Sequence, residues 1–252
     1  MTSPPNSDLH TERPTSISIL GIPVHDVTTE ETLILIDQFV HDGVPHQICT
    51  VNPEFIMTAQ NDVEFKQILR QSALNLPDGI GVIWAAQRLG HPLRERVAGS
   101  DLVVLIADRA QSTGWRIFLL GAAEGVAEQA AIILREHYPQ ANIAGAYAGS
   151  PQPEEEAGIA ARIRSSKADV LLVAYGAPKQ DKWIDRNLLR TGAVVAIGIG
   201  GSLDFIAGRQ KRAPRWLQRL GLEWLYRLIR EPWRWRRQLA LPQFVWRVLR
   251  SR

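Results

Sequence analysis

The sequence predicts a Rossmann-like α/β domain, a mainly parallel sheet with helices on both faces, followed by a basic helical appendage. Short, continuously apolar runs alternate with helical patterns over most of the chain, which is how strands buried on both faces and joined through helices read. Near "AGRQKRAP" the strand signals stop, and Trp, Arg and Leu dominate from there on. The expected boundaries are a frayed tail over 1–16, the α/β domain over 17–208 and the appendage over 209–252.

Each element follows from local signals. "SISILGIPVHDV" reads as a strand with a hairpin. "TTEETLILIDQFVHDG" opens on a Thr cap with acidic residues in its first turn and closes on Gly43, the ordinary punctuation of a helix. "HQICTVN" is a strand, and "PEFIMTAQNDVEFKQILRQ" is a helical stretch with Pro53 suited to its first turn. Four further pairs of strand and helix follow: "ALNLPDG" with "IGVIWAAQRLG", "RIFLLG" with "AAEGVAEQAAIILREHY", "ADVLLVAYGAP" with "KQDKWIDRNLLRTG", and "AVVAIGIGG" with "SLDFIAG".

Charge is polarised along the chain. Residues 209–252 hold thirteen Lys or Arg against Glu223 and Glu231, a net +11, so with +3 overall the other 208 residues carry −8. Such asymmetry directs the basic part toward phosphates, on a membrane or in nucleic acid. Cys49 is the only cysteine; it has no intrachain partner, sits in an apolar run and reads as a core residue in a reducing cytoplasm. "MTSPPNSDLHTERPTS" has no basic patch followed by an apolar run, which predicts no signal peptide. No stretch approaches the roughly 18 apolar residues of a spanning helix, so any membrane association is expected to be peripheral.

In open α/β sheets ligands bind beyond the carboxyl ends of the strands, which makes the polar and glycine residues there the first candidates. "CTVNPE" places Thr50 and Asn52 at one such end, either against a substrate oxygen or as helix caps. In "LPDGIG", Asp78 precedes Gly79 and Gly81, so its carboxylate stands at a bend with little bulk around it, fit for a general base or for ordering a sugar hydroxyl. The alternative is an Asp-Gly turn in which Asp78 caps the next helix. "RVAGSDL" sets Arg96 beside a Gly-Ser loop and a helix start, suited to a pyrophosphate or, alternatively, to an ion pair with Asp101. In "GAPKQDKW" the Gln180 amide is placed to read a uracil or sugar edge, unless Lys179 and Gln180 form a solvated helix start. "LLGAAEG" does not complete GxGxxG, which speaks against a nicotinamide cofactor. No zinc spacing, GxSxG elbow or Walker loop is present, and neither a metal nor a cofactor is expected.

These pieces, with "FLLG", "GIGGSLDFIAG" and "KRAPRWLQRLGLEWLYRLIREPWRWRR", resemble in order and spacing the WecG/TagA/CpsF family of bacterial glycosyltransferases over about residues 17–240. The resemblance implies inverting, metal-independent transfer of a sugar from a UDP-sugar to a sugar carried on undecaprenyl pyrophosphate at the inner membrane leaflet. Many members use an N-acetylmannosamine-type donor in the assembly of teichoic acid or surface polysaccharide. It assigns the base to Asp78 and a catalytic position to the first strand-end Thr, Thr50, with substrate-binding positions at Asn52, Gly79, Arg96 and Gln180 and phosphate-binding arginines at Arg227, Arg234 and Arg237. Asp181 stands where a Glu is more usual.

The appendage suits that substrate. Arg227, Arg230, Arg234 and Arg237 are spaced to share one helical face, with Leu222, Leu225 and Ile229 on the other, and Pro232 predicts a kink or two short helices. Interleaved Trp and Arg fit the headgroup level of an anionic membrane. The competing expectation is that the Trp residues pack the appendage on the body, with Trp216 and Trp224 in the core. An apolar tail also leaves room for a homo-oligomer. Two other classes stand beside the transferase: a nucleic-acid or anionic-membrane binding protein without catalysis, and a nucleotide-sugar epimerase or dehydrogenase requiring NAD. Liposome binding without preference for oligonucleotides separates the first, and absorbance of a bound cofactor the second.

Overall fold

The computed structural model describes residues 14–219, 221–232 and 235–251 of the 252. Six strands, β3 (His46–Val51), β4 (Leu74–Pro77), β5 (Arg116–Gly121), β6 (Asn142–Tyr147), β7 (Val170–Ala174) and β8 (Val195–Gly198), form one sheet in the order β4-β3-β8-β7-β5-β6. All neighbours in it run parallel. A separate antiparallel hairpin, β1 (Ser16–Ile19) with β2 (Ile22–His25), lies beside the β4 edge, where the Asn75 N–H donates to His25 Nδ1 at 2.9 Å. That contact covers an edge strand that would otherwise offer unpaired backbone.

Helices cover both faces, as the continuous apolar strands require. On one face lie α1 (Thr29–Asp42), α5 (Gly99–Thr113), α6 (Val126–His137) and the short α9 (Ser202–Ile206). On the other lie α2 (Pro53–Ala59), α3 (Val63–Gln71) and α4 (Ile80–Arg88) with the hairpin, and α7 (Pro153–Ser166) with α8 (Lys179–Thr191). Alternation along β5 shows the partition: Ile117 and Leu119 enter the first core, Phe118 and Leu120 the second. The expected Thr cap is Thr28, whose hydroxyl accepts from the Glu31 N–H while Glu31 reaches back to the Thr28 N–H, and Gly43 closes α1 in the left-handed region. The stretch 53–71 is two helices rather than one, because Asp62 caps a second start by accepting from the Phe65 N–H.

The appendage is a string of short helices: α10 (Arg215–Arg219), α11 (Glu223–Arg230), α12 (Trp235–Gln238) and α13 (Ala240–Arg250). α11 ends two residues before Pro232, the break that proline predicts. α13 joins the body: Phe244 and Val248, one helical turn apart, are buried in the core that includes α2 and α4. Burying a side chain of that size contributes roughly 1.5–3 kcal/mol. Contrary to the expectation of core positions, Trp216 is 62% and Trp224 38% exposed, and Trp235 and Trp246 are each 53% exposed. No helix among the described residues is long and apolar enough to cross a membrane.

Candidate functional site

The carboxyl ends of β4, β3, β8 and β7 lie side by side, and there the fold gathers Thr50, Asn52, Asp78, Gly79, Arg96 and Gln180. Asp78 follows the last residue of β4, and its N–H donates to the Val51 carbonyl at 2.8 Å, extending the ladder by one bond. Its carboxylate is half-buried, with Oδ2 accepting from the Gly99 N–H at 3.4 Å. That N–H opens α5, so the positive end of a 15-residue helix faces the carboxylate. Gly79 allows the bend: its φ of +105° is a conformation side chains rarely adopt. A Cβ on Gly81 would strike the Pro53 ring at 2.6 Å, so α4 approaches the start of α2 too closely for any side chain there.

Thr50 and Asn52 are both engaged. The Thr50 hydroxyl, buried, donates to the Gly198 carbonyl at 3.0 Å and ties β3 to β8. Asn52 Oδ1 accepts from the Phe55 N–H at 3.0 Å and caps α2, and the Asn52 Cβ lies beside Gly79, so the residue stands next to the bend that carries Asp78. Gln180 is buried, and its carbonyl accepts from the Gly176 N–H at 3.1 Å and the Gly200 N–H at 3.0 Å, bracing the loops after β7 and β8 against each other. It is not a solvated helix start. A Cβ on Gly198 would collide with the Gln180 amide, so that glycine makes the room the brace occupies.

Behind Gln180, Asp181 is fully buried with neither carboxylate oxygen in a well-formed hydrogen bond; the Cys49 thiol and the Gln180 amide are its polar neighbours. Burial pushes its carboxyl up to about 7. Desolvation, with the Asp181 charge nearby, likewise raises the Cys49 thiol, so Cys49 is an inert core residue as its apolar run implied.

Arg96 lies on the segment between α4 and α5, which is pinned at both sides. Arg94 forks onto Glu31 at 2.7 Å and reaches Asp26 at 3.1 Å, Glu95 accepts from the Thr29 hydroxyl at 2.5 Å, and the Val97 N–H donates to the Pro77 carbonyl at 2.9 Å. The Arg96–Asp101 pair considered from sequence gives way to other partners. Arg96 Nη1 stands 3.7 Å from Glu223 Oε2 in the appendage, and Asp101 is taken by Arg212, whose Nη2 donates to Oδ2 at 2.9 Å. The reason is geometric: Arg212 presents its guanidinium fork to Asp101, with Nη1 on the second oxygen. Burial pushes the Asp101 carboxyl up, but Arg212 and, further off, Arg96 outweigh it and hold it below the ordinary carboxylate range. Arg234 and the side chains of Arg227 and Arg237 lie outside the described residues.

Among the described residues no three His, Cys, Asp or Glu side chains converge as metal ligands. A wide groove of about 1240 Å³ opens at the opposite, amino edge of the sheet, lined by His25, Asp37, His46 and Gln47 among others, and holds none of the predicted site residues. The carboxyl edge remains the candidate, since that is where doubly wound sheets bind ligands.

Comparison with known proteins bears on this edge and on the appendage together. Residues 17–252 match the model of the family described as "Glycosyl transferase WecG/TagA/CpsF family". The chain is 38% identical over 213 residues to the N-acetylglucosaminyldiphosphoundecaprenol N-acetyl-beta-D-mannosaminyltransferase of Bacillus subtilis (strain 168), covering 84% of this chain and 82% of that protein. It is 31% identical over 238 residues to the protein of the same name from Staphylococcus aureus (strain MW2), covering 94% and 93%. Because the match runs through both the sheet and the appendage, the chain belongs to the WecG/TagA/CpsF family and is a glycosyltransferase.

Proposed function

We propose that the chain transfers an N-acetylmannosamine-type sugar, or a related hexose or uronic acid, from a UDP-sugar to a sugar linked to undecaprenyl diphosphate at the inner face of the cytoplasmic membrane. The observation that carries this reading is the placement of Asp78, half-buried on the N-terminus of α5 at the carboxyl end of β4, next to the segment that bears Arg96. The relatives are named for their acceptor, N-acetylglucosaminyldiphosphoundecaprenol, and for the N-acetyl-beta-D-mannosaminyl group they transfer, and a β-linked product is what inversion of an α-linked nucleotide sugar yields.

The chemistry needs few groups. Asp78 takes the proton of the acceptor hydroxyl as that oxygen attacks C1 of the donor, the bond from C1 to the diphosphate oxygen breaks, and UDP leaves with its charge on the β-phosphate. Arg96, with Arg227, Arg234 and Arg237 from the appendage, neutralises that charge, a task fixed guanidinium groups perform without a metal. Thr50, Gln180 and Gly79 shape the edge, and Asn52 offers its amide nitrogen to a sugar oxygen. The appendage docks on anionic lipid, its exposed indoles at headgroup depth and its arginines on phosphate.

Asp78→Asn keeps the size and the backbone geometry and removes the base. The variant is expected to melt within a few degrees of the parent and to lose roughly 10²–10⁴-fold in acceptor-dependent UDP release, the range for a general base. Near-normal turnover removes Asp78 from that role.

A further inference from the structure

We infer that Arg212 and Glu223 are positioning residues that clamp the appendage onto the catalytic edge of the sheet and hold Arg96 in place. The inference rests on the proposed function for the role of Arg96. Among the described residues two ion pairs cross from the appendage to the body: Arg212 to Asp101, forked, with Nη2–Oδ2 at 2.9 Å, and Glu223 Oε2 to Arg96 Nη1 at 3.7 Å. A third contact closes the chain inside the appendage, Arg212 Nε to Glu223 Oε1 at 3.5 Å. The order Asp101, Arg212, Glu223, Arg96 alternates in sign, so every charge has an opposite neighbour.

Isolated surface pairs contribute little, whereas a forked pair within a shielded network is the arrangement in which an ion pair matters. Arg212, Glu223 and Arg96 have side chains only 23%, 18% and 25% exposed, so three of the four charges are shielded, while Asp101 forms the open end of the network at 47%. Removing Arg212 leaves two carboxylates, on Asp101 and Glu223, with Arg96 as the remaining cation of the four. The clamp also sits at a point of leverage. Asp101 is two residues beyond Gly99, whose N–H meets Asp78, and Glu223 opens α11, four residues before Arg227. Arg96 has the longer of the two crossing contacts, so a diphosphate entering the site draws Arg96 from Glu223 while Arg212 keeps its hold on Asp101.

The test uses the full chain and two readouts: amide hydrogen exchange in residues 223–230, and kcat/KM for sugar transfer. Arg212→Ala is expected to speed exchange in α11 on the order of tenfold and to lower kcat/KM by a similar factor, the scale for losing a charged hydrogen bond. Protection in β3, β7 and β8 should persist. Adding Asp101→Asn should cost little more, because both substitutions break one fork. Unchanged exchange in α11, or losses that simply add, overturns the clamp. If Arg212→Ala also loosens the core strands, Glu223→Gln, which keeps the shape and removes the charge, decides on the same readouts. If the parent transfers no sugar, the proposed function falls, and exchange in α11 alone decides the clamp.

Discussion

A carboxyl buried without a well-formed hydrogen bond is costly to ionise, and Asp181 is in that position, its carboxyl raised to about 7 from an ordinary 3.8. Between those values the folded chain binds a proton that the unfolded chain has released. The contribution to stability is therefore full below about pH 4, declines as pH rises and is gone above about pH 7. Asp181→Asn removes the titration, so it is expected to gain stability over the parent progressively from pH 4 to 7, by on the order of a few kcal/mol, and to hold that gain at pH 8. Thermal melts of both proteins at pH 5 and pH 8 check this; parallel shifts at the two values contradict it. At this scale the residues of the candidate edge were legible in the sequence, because Thr50, Asn52, Asp78 and Gln180 each follow or adjoin an apolar strand end and Arg96 stands beside a Gly-Ser helix start. What those side chains do was less so. The Thr50 hydroxyl and the Gln180 carbonyl are spent on backbone partners in β8 or the loop beyond it, and Arg212 finds Asp101 across 111 residues. Such pairings depend on which strands become neighbours, which no local pattern states.

At the scale of elements, α1 reads best because both of its ends are marked. Thr28, Glu31 and Gly43 mark α1 almost to the residue. The break between α2 and α3 is marked just as plainly by Asp62, but the apolar spacing of "PEFIMTAQNDVEFKQILRQ" masks it. β6 and α7 gave no sequence signal strong enough to name. β6 is the outer strand beside β5, and four of its six residues are only half-buried, so "NIAGAY" lacks the run of large apolar residues that marks its neighbours. α7 packs through Ile159, Ala160 and Ile163 among charged residues, and its N-terminus has no side-chain cap. Trp216 and Trp224 failed in the other direction: their size argued for burial, yet the helices α10 and α11 leave them open, while smaller Phe244 and Val248 anchor the appendage from α13.

The whole molecule is an acidic body carrying a basic, indole-rich end. Trp216, Ile229, Trp235, Leu239, Trp246 and Leu249, all 48% or more exposed, belong to that end, and Arg250 stacks on Trp246 at 3.9 Å. Apolar groups and cations exposed together suit an anionic lipid surface better than water. Deleting residues 209–252 should abolish cosedimentation with anionic liposomes; a truncated protein that still sediments contradicts the docking role. α13 makes folding of the remainder a necessary control, since the deletion also uncovers the apolar surface under Phe244 and Val248. The central claim is metal-independent transfer from a UDP-sugar to a diphosphate-linked sugar. It is tested most directly by UDP release from the full-length protein with a panel of UDP-sugars and a short-chain, diphosphate-linked N-acetylglucosamine acceptor, in EDTA. The account predicts release from one donor, dependent on the acceptor and unaffected by the chelator; release that stops in EDTA, or that no donor and acceptor pair supports, would contradict it.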